Sequence, residues 1–412
     1  MNKLLINIKE LCGILDDQKV PLAGHQMNTF NTIKDAYLKI KDGKIAGFGP
    51  MNELSDYSKW EIIDVKNQLV LPCWYDSHTH IVFAGTREGE FIDRINGLTY
   101  EQIAAKGGGI LNSAELLNKT SEDNLFESAE TRLNEVMNLG TGGIEIKSGY
   151  GLTLEGELKI LRVIKRLKEK YDLPIKATFL GAHALPKAYK TQKEKYIDLI
   201  INEMLPNIHA EKLADYIDVF CETNYFTVDE MDKILEAGEK HNLKPKVHVN
   251  QFTSIGGIQN AIKHQAVSVD HLEILNDNDI NALRKSKVIS TLLPSCSFFI
   301  NIPYSPAKKL IQHDIPFALA TDYNPGSSPN GNMNLVIALA CIKMNISPEA
   351  AINAATINGA FAMEIQHEYG SISKGKWANL NLTDSINSYG FIPYSFGVNH
   401  INKTMIKGNW IN

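Results

Sequence analysis

The sequence predicts an α/β protein, a (β/α)8 TIM barrel carrying a small composite β-sandwich built from both termini. Three observations predict it. Eight short β-type runs alternate with helical patterns through the middle of the chain. Short alternating segments with turn signals occur at both ends instead. A doubly wound open sheet would want a glycine fingerprint after an early strand, and none is present. The expected division is residues 1–69 plus 365–412 for the sandwich and 70–364 for the barrel.

Residues 36–49 alternate in polarity around Asp42-Gly43, a hairpin turn signal. Residues 62–70 add a short strand with Asn67 as a turn residue. The eight barrel runs are 70–76, 143–147, 175–181, 216–221, 245–249, 266–270, 287–293 and 316–320. Between them, residues 154–171 form the clearest amphipathic helix, with Leu158, Leu161, Ile164 and Leu167 on one face. Further helices are expected over 126–139, 228–241, 255–264, 277–286 and 332–344. An Ala-rich helix over 348–363, capped by Ser347, follows the barrel. Strands over 370–384 and 405–411 then return to the small domain. Gly107-Gly108-Gly109 follows no strand and reads as a loop, not a phosphate cradle.

A chain of 412 residues with 44% hydrophobic and 22% charged residues is that of an ordinary folded protein. A net charge of -5 without a basic stripe argues against nucleic acid as a partner. The longest apolar stretch is too short to span a bilayer, and no signal peptide is read at the N-terminus. Five scattered cysteines without a CxxC pair suit a reduced, cytoplasmic setting.

Barrels of this kind place function at the C-terminal ends of their strands. Run one ends in Asp76, His78 and His80. Side chains two apart on a strand share a face, so both imidazoles point one way. Run two leads into Lys147, Ser148 and Tyr150, run three ends at His183, and run four at Glu222. Run five ends in His248, Asn250 and Gln251, run six in Asp270, His271 and Glu273, and run eight in Asp322 and Asn324. Five of the twelve histidines thus fall at strand ends. His78, His80, His248 and Asp322 give three imidazoles and one carboxylate. That set suits one zinc or iron ion per chain with a position left for water. Such an ion activates water, and a carboxylate beside it can move a proton to a leaving nitrogen, which is the chemistry of C–N bond hydrolysis.

These ligand positions resemble those of mononuclear members of the amidohydrolase superfamily. The stretches FAGTREGEF (83–91), EIKSGYGL (145–152), TFLGAH (178–183) and ATDYNPGSS (320–328), with 107–110 and Asp270-His271-Leu272, resemble the imidazolonepropionases within it. The resemblance implies metal-dependent hydrolysis of 4-imidazolone-5-propanoate to N-formimidoyl-L-glutamate in histidine degradation, in a homodimer. It implies that Arg87 holds the propionate carboxylate, and that Tyr150, His183, Asn324, Gly326, Ser327 and Tyr100 line the ring and the product. One departure matters. The family pattern has a glutamate where this chain has Gln251, and a glutamine cannot take a proton near neutral pH. Asp322 is therefore the expected base, with His271 orienting the water and Gln251 binding the ring.

Three rivals are weaker. A nucleobase deaminase would have no use for a carboxylate-binding Arg87. A binuclear hydantoinase-type site would need a lysine closing run four, where Val219-Phe220-Cys221-Glu222 stands. A scaffold that had lost its metal would show broken ligands. Residues 86–124 form a long βα connection, which suggests a lid.

Overall fold

The structure is a computed structural model that describes residues 2–15, 19–55, 57–98, 102 and 108–411. Its N-terminal portion supplies strands β1 (Asn2–Ile14), β2 (Asn31–Lys41), β3 (Lys44–Pro50), β4 (Glu61–Asp64) and β5 (Leu69–Pro72). β2 and β3 pair as a hairpin through Asp42 and Gly43, both at positive φ as a tight two-residue turn requires. The barrel follows as β6 (Trp74–Thr79), β7 (Thr141–Lys147), β8 (Ile175–Ala182), β9 (Tyr216–Cys221), β10 (Lys244–Val249), β11 (Ser268–His271), β12 (Ile289–Leu292) and β13 (Phe317–Leu319). β14 (Leu380–Thr383), β15 (Ile401–Ile406) and β16 (Asn409–Trp410) complete the chain.

β6 to β13 lie side by side in sequence order, every pair parallel. Their residues are almost all buried, as a parallel sheet covered by helices demands. The terminal strands join in one eight-stranded mixed sheet, ordered β16-β15-β14-β5-β1-β2-β3 with β4 beside β1. Its own core contains Leu5, Ile8, Leu11, Leu38, Val70, Ile372 and Leu380. Asn358 ties the N-terminal segment to the barrel, giving its amide to the Leu22 and Phe317 carbonyls and accepting from the Leu22 N–H. Among the described residues no helix is long and apolar enough to cross a membrane.

Two expectations on this segment layout are corrected. Residues 70–76 do not form the first barrel strand. Leu69–Pro72 pairs with β14 and β1 in the terminal sheet, and the barrel strand begins at Trp74. One unbroken apolar run serves two sheets, and its composition carries no mark of the change at Cys73. The helix expected over 348–363 is two helices, Pro348–Ala355 and Ile357–Ala362, broken at Thr356 with φ −113° and ψ −92°. The 86–124 connection also contains helices Glu88–Ile95 and Ile110–Lys119.

The barrel closes between β6 and the segment leaving β13. The Asp322 N–H donates to the His78 carbonyl at 3.0 Å, and the His80 N–H to the Tyr323 carbonyl at 2.9 Å. Beneath this seam the fully buried Asp76 accepts from the Thr321 N–H at 3.0 Å and from its hydroxyl at 2.6 Å. Thr321→Val leaves that carboxylate short of one buried partner, and the expected loss is about 1–3 kcal/mol. A lowered thermal unfolding midpoint checks this; an unchanged midpoint refutes it.

Candidate active site

Several strand ends deliver side chains to one place. The rings of His78 and His248 lie 4.5 Å apart between centroids, His78 and His80 5.4 Å, and His248 and His271 5.2 Å. Asp322 Oδ1 lies 3.5 Å from His78 Nε2 and 3.7 Å from His80 Nε2. His183 stacks on His80 at 5.4 Å, and Tyr150 meets both rings edge-on. All these residues are buried except His183, which is half-buried.

The imidazoles share one arrangement. His78 Nδ1 lies 2.6 Å from Asp270 Oδ2, His248 Nδ1 2.8 Å from Asp218 Oδ2, and His80 Nδ1 3.3 Å from the Ser148 carbonyl. Oxygen on one side makes Nδ1 the donor and leaves Nε2 with its lone pair turned inward. Among the described residues His78 Nε2 is buried without a hydrogen-bond partner, an arrangement that a cation would satisfy. Burial holds His78, His80 and His248 well below the ordinary histidine pKa, so they stand neutral, as metal ligands must. These residues therefore fit a metal. His78, His80 and Asp322 bring ligand atoms within 4.8 Å of one another, and so do His78, His248 and His271. His78 belongs to both groups, and His271, expected to orient the water, stands with it as a further donor. Burial disfavours its charge, but Glu273, 3.4 Å from Nδ1, outweighs that and raises its pKa. Burial pushes Asp322 up to about 6, against the pull of His271.

The backbone at these strand ends is strained. Asn250, His271, Leu272 and Asp322 all have positive φ, between 55° and 88°. Each such residue costs about 1–3 kcal/mol, which the surrounding ladder must absorb. The Tyr150 loop is held differently. The buried Glu157 carboxylate accepts from the N–H groups of Gly149, Gly151 and Leu152 at 2.8–2.9 Å. At Gly151 a Cβ would fall 2.3 Å from the Gly156 backbone, so only glycine permits the approach.

A cavity of about 570 Å³ opens above the imidazoles. Arg87, Tyr150, His183, Gln251, Asn324, Gly326 and Ser327 all line it. Arg87 caps helix Glu88–Ile95, and its Nε and Nη2 lie 2.9 and 2.5 Å from Glu90 Oε2. The other Glu90 oxygen accepts from the Gly109 N–H at 2.8 Å. Asn324 Oδ1 accepts from the N–H groups of Gly326 and Ser327, folding the strand-eight loop. Tyr100 lies outside the described residues.

The sequence profile of the amidohydrolase family matches residues 69–411. The chain belongs to the amidohydrolase family. Two relatives, each called imidazolonepropionase, come from Christiangramia forsetii and Flavobacterium johnsoniae. They are 54% and 58% identical over 411 residues and are covered completely, as is this chain. One from Thermoanaerobacter pseudethanolicus is 39% identical, with 98% of this chain and 96% of its own length covered. Among solved structures, guanine deaminase from C. acetobutylicum matches at a TM-score of 0.72 with 15% identity over 100% of both chains. E. coli guanine deaminase matches at 0.74 with 13% identity, over 100% of this chain and 99% of its own. These two show the shared fold.

Three strand-end residues of this amidohydrolase face away from the imidazoles. The Asn250 amide donates to the Ile274 carbonyl and to Asp279. Glu222 accepts from the N–H groups of Thr223, Phe252 and Thr253, fixing the turn that carries Gln251. Asp76 serves the seam. Two residues at the site escaped the sequence reading. Asp218 lies in mid-strand, an isolated acid among apolar residues whose partner, Lys147, comes from another strand. Cys296 lies in helix Pro294–Ile300 just past β12, fully buried, and takes a hydrogen bond from the Gln251 amide at 3.5 Å. The strand-end rule would have reached it had run seven been followed beyond Leu293. Asp270→Asn keeps an acceptor for His78 but removes its charge. Zinc affinity measured by chelator competition should fall about 10- to 100-fold, and parental affinity would contradict the orienting role.

Proposed function

We infer that this amidohydrolase hydrolyses 4-imidazolone-5-propanoate to N-formimidoyl-L-glutamate, a step of histidine degradation. Full-length similarity at 54–58% identity to proteins called imidazolonepropionase carries the reading. The test is the loss of substrate absorbance with purified, metal-loaded protein; turnover no faster than the spontaneous decay would overturn it.

We assign one zinc or iron ion to His78, His80, His248 and Asp322. When bound there, it supplies Lewis-acid activation of water and of the ring carbonyl. The remaining work falls to the chain. Asp322 takes a proton from the attacking water as the C–O bond forms at the ring carbonyl. It passes that proton to the ring nitrogen as the C–N bond breaks, leaving a carboxylate and a formimidoyl nitrogen. Its two oxygens have different surroundings: Oδ1 faces the imidazoles, and Oδ2 lies 3.4 Å from Ser327 Oγ. His271, backed by Glu273, orients the water. Gln251 cannot serve as a base and binds the ring. Tyr150 and His183 pack the ring, while Asn324, Gly326 and Ser327 line the product side, and Tyr100 is assigned to substrate on the resemblance alone. The Arg87 guanidinium binds the propionate, for which its planar fork is suited. Five scattered cysteines with no CxxC spacing support a cytoplasmic setting. A homodimer belongs to the same proposal, supported by the exposed Tyr394, Phe396 and Val398; sedimentation at a monomer's mass would remove it.

Asp322→Asn should lower kcat by about 10²- to 10⁴-fold, while Gln251→Ala should raise KM more than it lowers kcat. An equal collapse of kcat in both would sink this division of roles. Gly326→Ala would set a Cβ 2.3 Å from Arg87 Nη1. Its expected effect is a raised KM, with kcat at saturation changing less; an unchanged KM would separate Gly326 from the anion site.

A further inference from the structure

Behind the imidazoles lies a charged layer that the reaction leaves unexplained. Lys147 closes β7 and is fully buried. Its Nζ lies 2.8 Å from Glu145 Oε1, 2.9 Å from Asp218 Oδ2 and 3.4 Å from Asp270 Oδ2. The last two atoms are the oxygens that hold His248 Nδ1 and His78 Nδ1. One ammonium therefore bridges the supports of two imidazoles that arrive from β6 and β10. Lys246, on β10, closes the far side. Its Nζ lies 2.9 Å from Glu145 Oε2 and donates to Ser268 Oγ and the Ala362 carbonyl, each at 2.9 Å. Ser268 in turn donates to Asp270 Oδ1.

Three carboxylates and two ammonium groups leave one net negative charge in this layer. The arrangement does more than neutralise buried charge. A lysine needed only for charge balance could sit against any edge of the carboxylates. Lys147 meets Asp218 and Asp270 at the same oxygens that face the rings. Without it, two like charges in a dry interior would repel one another through the positions they must keep. A displaced carboxylate would take its imidazole with it.

We propose that Lys147 is a positioning residue of this enzyme: its ammonium clamps Asp218 and Asp270, and so fixes His248 and His78 as metal ligands. The proposal rests on the metal assignment made above. It also accounts for the acid and the lysine in EIKSGYG, which the strand-end chemistry leaves without a role.

The test compares zinc affinity by competition with a chromophoric chelator in the parent, in Lys147→Met, and in Lys147→Met/Glu145→Gln, which removes one charge of each sign. Circular dichroism and thermal melting verify folding. The parent should bind one zinc per chain; a parent that binds neither zinc nor iron overturns the metal assignment itself. Lys147→Met should bind zinc about 10- to 100-fold more weakly, with an altered visible spectrum when loaded with Co²⁺. At saturating metal its kcat should fall more than its KM rises. Folded Lys147→Met with zinc affinity within twofold of the parent overturns the clamp. The double variant should lose affinity equally, because Asp218 and Asp270 still lack their bridge. Recovery of parental affinity in it would reduce Lys147 to charge balance, and failure of both variants to fold would make Lys147 a stability residue; either result overturns the proposal.

Discussion

The hydrogen bond from the Asp322 N–H to the His78 carbonyl is where this molecule becomes a site. It belongs to the seam that shuts the barrel, and it joins two residues separated by most of the barrel sequence. Without the seam, the imidazoles of β6 and the carboxylate after β13 would sit at opposite edges of an open sheet. With it, Asp322 Oδ1 lies within 4 Å of two imidazoles. The strands between complete the circle, so β10 and β11 bring His248 and His271 to the same point. The local strain at Asn250, His271 and Asp322 is tolerable because the parallel ladder determines the backbone on either side.

Much of this was legible in the sequence. The strand ends could be read because apolar runs stop abruptly at polar residues, and because His78-Thr79-His80 repeats at the strand period. What escaped has physical causes. Asp218 belongs to a strand that otherwise reads as core, and an acid there is intelligible only with Lys147, which comes from another strand. Lys147 was read only as a polar residue closing run two, since sequence patterns carry no information on which cations are buried. The start of β6 was misplaced because burial in two successive sheets leaves one continuous apolar signature. The break at Thr356 was hidden among alanines, whose helix propensity is high.

The departure at Gln251 takes on structural sense here. Its amide meets Cys296, a soft and weakly polar neighbour, in place of a charged partner. The carboxylates around the imidazoles are then Asp322, against the Nε2 atoms of His78 and His80, and Asp218, Asp270 and Glu273, against the Nδ1 atoms behind the rings. That separation is why proton transfer is assigned to Asp322: the others are already committed to holding imidazoles.

The strained strand ends carry a consequence for anyone adapting this protein. Replacing Asn250 or Leu272 by glycine would relax the backbone, but it would also loosen the unfolded chain, open a cavity where the buried Leu272 packs and remove the Asn250 bonds to Ile274 and Asp279. The relaxation would also be drawn from the rim that aims the side chains, so robustness and turnover would be lost together. Hardening this enzyme without blunting it means working on the terminal sheet and the outer helices, where nothing has to be aimed.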